Sequence, residues 1–347
     1  MNPDPLRLRS QQVKLGREFL GCAPVVSSPS TLINASKSRR MPLYFHELYT
    51  GGIAPDARFP RSRYERLRSR LSRGEASELL EITEAPRARR EDILLAHEPE
   101  YTARFLSGSM DRAERRRIGL RPWTPLLIPR TLHLLGGAIA ALEQVAGRGG
   151  VAGNMAGGTH HAHYDFGSGF CVFNDLAICA RIAHQRLGLE RISVLDLDVH
   201  QGDGTATLLS EDDYARTISV HCAQNFPLRK ASSDVDLPID QGTSDDVYLE
   251  VVERALDAAF EHAPDLLFFQ AGVDGLSADA LGRLELSREG LWARNARVFE
   301  ACERAGIPCL VFMGGGYSKP IEHTVDAFED LFVQAARSHQ RHLTQRI

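Results

Sequence analysis

The stretch Val194-Leu195-Asp196-Leu197-Asp198-Val199-His200-Gln201-Gly202-Asp203-Gly204 decides the fold, because an apolar run ends here in polar groups. Residues 192–197 predict a strand buried between layers of helices, and such strands are normally apolar along their whole length. Alternate residues of an extended strand face the same way, so Asp196, Asp198 and His200 share a face. Two aspartates in this place need compensation, normally by a cation. Taken alone, the motif is equally compatible with capping aspartates beside a hydrogen-bonded histidine.

Short apolar runs elsewhere predict further strands, and longer segments between them predict helices. The predicted strands cover residues 43–45, 192–197, 217–221, 266–270 and 309–313, and the predicted helices cover residues 174–187, 244–262, 287–305 and 321–338. This alternation predicts an α/β fold with a mostly parallel central sheet and helices on both faces. No linker or repeat interrupts it, which favours a single domain.

Polar residues follow three of the predicted strands. Asp198 and His200 follow the first, Asp274 follows residues 266–270, and a glycine-rich loop that ends in Tyr317 follows residues 309–313. Ligands of open parallel sheets bind beyond the carboxyl ends of the strands. We therefore expect these groups to meet in one crevice.

A pair of adjacent histidines, His160 and His161, follows two glycines. A single histidine is more often structural, but the tight turn that Gly157 and Gly158 allow could direct both rings into one site. Two imidazoles can serve as base and acid when a carboxylate orients each of them. A tyrosine at the end of a glycine-rich loop can donate its hydroxyl to a developing oxyanion.

The composition excludes several classes of protein. With 43% hydrophobic and 25% charged residues and a net charge of -4, the 347-residue chain resembles ordinary globular proteins and has no overall attraction for nucleic acid. The sequence contains no run of 18 apolar residues, so it predicts no membrane span. The cysteines show neither a CxxC pair nor regular spacing, which predicts reduced, mostly buried thiols in the cytoplasm. They are Cys22, Cys171, Cys179, Cys222, Cys302 and Cys309.

Residues 1–40 differ from the rest, being rich in arginine, lysine and serine and poor in acids. This composition is compatible with organelle targeting, but a plain extension before a catalytic domain at residues 41–347 is favoured. Residues 61–68 are rich in arginine and predict the solvated face of a helix rather than a nucleic-acid contact.

Taken together, five ordered blocks resemble the histone deacetylase family of zinc-dependent amidohydrolases, within the arginase–deacetylase superfamily. They are GGTHHAHYDFGSGFCVFNDLA (157–177), VLDLDVHQGDGTA (194–206), ISVH and NFP between 218 and 227, QAGVD (270–274) and MGGGYS (313–318). The resemblance runs from about residue 42 to residue 331. The motif DVHQGDG and the segment RFPRSRY (58–64) are most similar to the class IV branch and its bacterial relatives.

The resemblance implies one catalytic zinc ion held by Asp198, His200 and Asp274. It implies that Tyr317 polarises the amide carbonyl and stabilises the tetrahedral oxyanion.

For the histidine pair, the resemblance implies that His161 is the general base and later the acid, oriented by Asp203. It implies that His160 pairs with Asp196.

The resemblance also implies a narrow substrate tunnel and a structural potassium ion. The tunnel would be lined by Gly169, Phe170 and Phe226, although composition alone favours the two phenylalanines as core residues. The potassium ion would lie near Asp196, Asp198, His200, Ser219 and Val220.

The related arginases hold two manganese ions and need additional carboxylates for the second. The corresponding positions here are Gly202 and Leu276, which cannot ligate a metal. One metal is therefore expected.

The expected substrate is an acylated lysine Nε-amine in a protein or peptide. A small acylated amine such as an acetylpolyamine is the alternative, and a non-catalytic module that binds acyl ligands is a third hypothesis. Asp111 and Glu114 lie near the loop that would clamp the substrate, and residues 121–125 occupy the region expected to shape the tunnel mouth. The sequence predicts no oligomeric state.

Overall fold

Eight parallel strands form one sheet in the computed structural model, which describes residues 39–345. The strands are β1 (Met41–Phe45), β2 (Leu80–Glu84), β3 (Val151–Asn154), β4 (Ile192–Asp196), β5 (Ala215–Cys222), β6 (Val235–Ile239), β7 (Leu266–Gln270) and β8 (Cys309–Phe312). Their order across the sheet is β2-β1-β3-β8-β7-β4-β5-β6. The central strands β3, β4, β7 and β8 are buried along their whole length.

Eleven α-helices accompany the strands in the described residues. They are α1 (Ser62–Leu71), α2 (Gly74–Leu79), α3 (Arg90–Ile93), α4 (Pro99–Leu106), α5 (Arg112–Ile118), α6 (Leu127–Arg148), α7 (Asp175–Leu187), α8 (Asp203–Leu209), α9 (Asp245–Glu261), α10 (Arg288–Ala305) and α11 (Glu322–Gln345). Helices α6 and α11 both pack on β1 and β3. On one side α6 packs on α7, which packs on α8; on the other side α11 packs on α10, which packs on α9. The helices thus form two layers, and the predicted fold class is confirmed.

The predicted elements agree with the structure to within a few residues, except that α11 extends seven residues beyond 338, to Gln345. Three strands were not predicted. Strand β2 is largely exposed, and β3 is only four residues long and includes a glycine. Strand β6 lies at the sheet edge and contains Pro238. Each therefore lacks the apolar run that is typical of a buried strand. Helices α2 to α6 and α8 were not predicted either; in the long helix α6, Gly136 and Gly137 weaken the helical pattern.

The strand order places three functional loops side by side. Asp196 at the end of β4 pairs with Gln270 at the end of β7, which in turn pairs with Phe312 at the end of β8. The segments that follow these strands therefore leave the same edge of the sheet, as expected from the sequence.

The prediction for residues 61–68 is right about the helix and wrong about one of its arginines. Arg63 of α1 is 2% exposed rather than solvated. Its guanidinium lies 4.9 Å from the ring centroid of Tyr64 and 5.0 Å from that of Phe59. The helix therefore directs one arginine inward.

The expectation for residues 1–40 falls almost wholly outside the described residues, as does Cys22. The other five cysteines are free and buried, as predicted. Among residues 39–345, no helix combines the length and apolar character that a membrane crossing requires.

The N-terminus of α10 offers a test of the fold. The Ser287 hydroxyl accepts a hydrogen bond from the Gly290 amide at 2.9 Å and donates one to Asp245. Ser287→Ala should lower the free energy of unfolding by about 1 kcal/mol, because this cap is lost. Urea denaturation followed by circular dichroism measures the change. Ser210→Ala, at an exposed hydroxyl after α8, is the control and should change stability by less than about 0.5 kcal/mol; equal losses would contradict the cap's role.

Candidate active site

Two carboxylates and one imidazole come together where β4 and β7 end. Candidate ligand atoms of Asp198, His200 and Asp274 all lie within 4.8 Å of one another, and all three residues are buried. Nδ1 of His200 lies 3.1 Å from Oδ1 of Asp198 and 3.1 Å from Oδ2 of Asp274. This donor set suits a metal ion that keeps coordination positions open for water and substrate.

Backbone amides hold the two carboxylates in place. The amide of Gly315, in the loop after β8, donates to Oδ2 of Asp198 at 2.8 Å, and the amide of Val199 donates to Oδ1 of Asp274 at 3.0 Å. Burial alone would lower the pKa of His200, but the two carboxylates outweigh burial and raise this pKa to about 10. The pocket thus strongly favours positive charge.

Each histidine of the adjacent pair contacts its own aspartate. Nδ1 of His160 lies 2.7 Å from Oδ2 of Asp196, and Nδ1 of His161 lies 2.6 Å from Oδ1 of Asp203. The ring centroids are 4.1 Å apart. These are the pairings expected from the sequence resemblance.

The pKa values of the two rings are shifted in opposite directions. Burial opposes protonation of His160, but Asp196 and Asp198 outweigh it and raise the pKa of His160 to about 9. Burial and the neighbouring charge of His160 lower the pKa of His161 to about 4. His160 is thus the more readily protonated ring of the pair, and His161 the ring that more readily stays neutral.

Hydrogen bonds from two other segments of the chain hold the loop that carries the histidines. Gly157 and Gly158 have φ values of 89° and 73°, which glycine adopts without strain. Asp175 of α7 accepts from the amides of Gly158 at 2.9 Å and Thr159 at 2.7 Å, while Nε2 of Gln270 donates to the Gly158 carbonyl at 2.9 Å. Asp175 and Gln270 escaped the sequence analysis because neither lies in a recognisable ligand spacing.

Asp203 also binds a second histidine that the sequence analysis did not single out. Its Oδ2 lies 3.1 Å from Nε2 of His163, while its Oδ1 contacts His161. The pKa of Asp203 is lowered, because these two histidines outweigh the effect of burial. Both oxygens of the carboxylate are thus occupied, which restricts its rotation.

The structure gives a steric reason for the glycine at 202. A Cβ atom there would lie 2.4 Å from Oδ2 of Asp196 and 3.2 Å from Cβ of His160. The His160–Asp196 pair occupies the space that a carboxylate at 202 would need, and Leu276 is a buried apolar residue. Both positions agree with the expectation of one metal.

Tyr317 faces the same cavity, and its loop is held by two residues that sequence analysis missed. Its amide donates to Oδ2 of Asp279 at 2.6 Å. The preceding carbonyl, of Gly316, accepts from the Arg63 guanidinium at 3.1 Å. Burial raises the pKa of Tyr317 well above its usual value, so the phenol keeps its proton. Arg63 and Asp279 are far from Tyr317 in the sequence, so no motif links them.

A cavity of about 460 Å³ connects these groups to the surface. The ring of Phe226, 41% exposed, lies 4.9 Å from that of His161, and the ring of Phe170 lies 5.8 Å from that of Tyr317. Gly169 approaches His161 so closely that an added Cβ would lie 2.5 Å from the imidazole. Phe226 is thus a wall residue and not part of the core.

The residues named for potassium lie at the end of β4, in the segment that follows it, and in the neighbouring strand β5. Asp196 of β4 pairs with Ser219 of β5, and Val220 follows in β5. All five named residues are buried, and the Ser219 hydroxyl lies 3.0 Å from Nδ1 of His221. The potassium ion itself stays a prediction.

The expectation for residues 121–125 at the tunnel mouth is wrong. The cavity is lined instead by the three residues Arg117, Ile118 and Gly119, whereas Trp123 packs on Phe105 with ring centroids 6.1 Å apart. Of this segment, half-buried Trp123 packs on the core beside α4, while Arg121, Pro122 and Pro125 are exposed.

Comparisons with known proteins agree with this geometry. The histone deacetylase domain profile matches residues 57–330, so the chain belongs to the histone deacetylase family, which comprises deacetylases and related amidohydrolases. An uncharacterized protein of Picosynechococcus sp. is 40% identical over 85% of this chain and 98% of its own length.

Two further relatives have functional names. A histone deacetylase-like amidohydrolase of Pseudomonas aeruginosa is 32% identical over 73% of this chain and 70% of its own length. Histone deacetylase 2 of Arabidopsis thaliana is 30% identical over 72% of this chain and 67% of its own. The solved structure of an acetylpolyamine aminohydrolase from Burkholderia pseudomallei shares the fold, with a TM-score of 0.70 and 20% identity over 85% of this chain and 98% of that one.

The contact of Gly169 with His161 can be tested by adding one methyl group. Gly169→Ala should lower deacetylase activity at least tenfold, because the methyl group would displace the His161 ring, which its carboxylate orients. Steady-state kinetics measure the loss. Gly188→Ala is a matched control. Gly169 and Gly188 both have positive φ values, 52° and 71°, but nothing lies within 4 Å of a Cβ added at Gly188. The control should lose about 1 kcal/mol of stability and keep its activity. Equal kinetics in the two variants would contradict the contact's importance.

Proposed function

We propose that the protein is a zinc-dependent deacylase that hydrolyses the amide bond of acylated amines, with Nε-acyl-lysine of proteins or peptides as the leading substrate. One observation carries this proposal: Asp198 and His200 of a buried Asp-His-Asp group line the same cavity as His161, a histidine oriented by a carboxylate. The catalytic domain is proposed to span residues 41–347. The free, buried cysteines support a reducing compartment, and cytoplasm is the proposed location.

Asp198, His200 and Asp274 would hold the zinc ion. Two carboxylates and one imidazole are a donor set that zinc accepts, and the corresponding arrangement in hydrolases leaves a position for water. When bound, zinc lowers the pKa of water to about 7 and acts as a Lewis acid on a carbonyl group. A potassium ion near Ser219 and Val220 is proposed as a structural ion only.

His161 is the proposed general base and acid. Its Nδ1 is occupied by Asp203, so its Nε2 is left to take a proton from the attacking water and return it to the leaving amine. His160, paired with Asp196 beside it, would place a positive charge near the developing oxyanion. The two histidines thereby divide proton transfer and electrostatic stabilisation between them.

Tyr317 is the proposed oxyanion donor. Its loop is held by Asp279 at the amide and by Arg63 at the preceding carbonyl, so the phenol is positioned before substrate binds. A protonated phenol in a site shielded from water donates a strong hydrogen bond to an oxyanion.

Phe170, Phe226 and Gly169 are proposed to line the substrate tunnel. Two aromatic walls suit an extended methylene chain, such as that of lysine, and both walls lie beside catalytic groups. A small acylated amine is the second candidate, supported by the shared fold of the acetylpolyamine aminohydrolase. A purely binding role is less favoured, because a complete set of base, acid and oxyanion groups would have no use.

Metal removal tests the proposal directly. Protein dialysed against a chelator should lose its activity on acetyl-lysine peptides and regain it with zinc, because the ligand set alone cannot activate water. Mass spectrometry should find about one zinc per chain in the loaded wild type and much less in Asp274→Asn. Asp203→Asn is the matched control: it should keep its zinc while losing activity, because Asp203 contacts His161 and not the metal group. Full activity in zinc-free protein would refute zinc dependence.

Replacing the proton-transfer group and the oxyanion donor should separate their roles. His161→Ala should lower kcat by about 10²–10⁴ through loss of the general base. Tyr317→Phe should lower kcat by about 10²–10³ through loss of one oxyanion donor. Both variants should keep zinc content and thermal stability close to those of the wild type. Wild-type turnover in both variants would exclude this mechanism.

A further inference from the structure

Three of the residues that line the cavity are exposed arginines, and their exposure places them toward its opening. Arg58 precedes α1, Arg117 lies near the end of α5, and Arg283 lies in the segment between β7 and α10. We call them the entrance arginines. They come from three separate parts of the chain, so no single sequence motif contains all three.

The entrance arginines have no carboxylate partner among residues 39–345. The guanidinium of Arg117 lies 4.7 Å from the ring centroid of Phe166, which leaves its charge uncompensated. Asp198 is the one carboxylate that lines the cavity within the described residues, and it belongs to the candidate metal group. The opening is therefore positive although the whole chain has a net charge of -4.

Some arginines elsewhere on the surface are neutralised by carboxylates. Arg104 binds Glu114 at 2.9 Å, Arg181 binds Asp212 at 2.9 Å, and Arg337 binds Glu75 at 2.8 Å. Arginines without a carboxylate partner also occur elsewhere on the described surface, but Arg58, Arg117 and Arg283 are three that line one cavity. Two buried arginines behind the opening, Arg63 and Arg130, also lack a carboxylate partner in the described residues and add to the positive potential.

The two acids that the sequence analysis considered for clamping a substrate are used elsewhere. Asp111 caps α5 by accepting from the Glu114 amide at 2.8 Å, and the Glu114 side chain accepts from the Asp111 amide at 2.8 Å. Glu114 also binds Arg104, and neither acid lines the cavity. The described opening thus offers guanidinium groups, and no free carboxylate, to an approaching substrate.

From these charges we propose that the entrance arginines select acylated amines that carry a carboxylate just outside the tunnel. The inference rests on the proposed deacylase function and narrows its substrate class. Guanidinium groups bind carboxylates through charge-assisted, often bidentate hydrogen bonds, and a positive opening accelerates the encounter with anions. A polyamine carries ammonium groups at the same place and is repelled. The carboxylate belongs either to acidic residues that flank an acyl-lysine or to a small molecule.

The test compares substrates that differ in charge alone. Zinc-loaded enzyme is assayed on acetyl-lysine peptides flanked by two aspartates, two alanines or two lysines on each side. Nα,Nε-diacetyl-lysine with a free carboxylate is compared with its carboxamide, and acetylspermidine is included. At low salt, kcat/KM should fall about tenfold from the acidic to the neutral peptide and again to the basic one, and the differences should shrink at 0.3 M salt. The peptide series and the diacetyl-lysine pair distinguish the two sources of the carboxylate.

Charge-matched variants separate a local effect from an effect of net charge. The triple variant Arg58→Gln, Arg117→Gln, Arg283→Gln should bring the ratio of acidic to neutral peptide close to one. Arg73→Gln, Arg254→Gln, Arg304→Gln removes the same charge from exposed residues that do not line the cavity, and it should keep the wild-type ratio. An equal loss in both triple variants, or a wild-type preference for basic substrates, would overturn the proposal.

A binding measurement keeps this inference separate from the proposed function. Fluorescence anisotropy with labelled acidic, neutral and basic acetyl-lysine peptides reports charge selection whether or not they are hydrolysed. Charge-independent binding would refute the role of the entrance arginines even if all peptides are hydrolysed. Charge-selective binding without turnover of any substrate would instead refute the deacylase function and support the entrance arginines.

Discussion

The burial of two adjacent carboxyl groups, those of Asp198 and Asp274, is the constraint on which the rest of the site depends. An unpaired carboxylate in a protein interior costs several kcal/mol, and two adjacent ones repel each other as well. The chain compensates them with His200 between the carboxylates and with amides of Val199 and Gly315. This arrangement is consistent with a site built to receive a cation.

The same compensation extends into the surrounding fold. Arg294 of α10 is fully buried, and it donates to the carbonyls of Gly272 at 2.6 Å, Ala271 at 3.3 Å and Leu197 at 3.4 Å. These carbonyls belong to the two segments that carry the carboxylates. One helix thus fixes both segments relative to each other, and geometry of this precision is what catalysis by positioned groups requires.

Much of the architecture could be predicted from the sequence, because buried parallel strands are continuous apolar runs and polar residues that follow them stand out. Residues 266–270 were predicted as a strand with the bounds observed for β7. Strands β2 and β6 escaped, because an edge strand is partly exposed and lacks that pattern. The contacts of Arg63 and Asp279 with the Tyr317 loop also escaped, since they join residues far apart in the chain.

By itself, the sequence determined the family, the α/β class and the chemical character of the candidate site, because those depend on residue types at short, ordered spacings. Only the tertiary structure decided which groups meet: that His163 shares Asp203 with His161, that no side chain fits at Gly202, and that Arg58, Arg117 and Arg283 line one cavity. Such contacts depend on strand order and loop paths. A linear pattern does not encode them, since spatial proximity between distant segments arises only when the sheet is assembled.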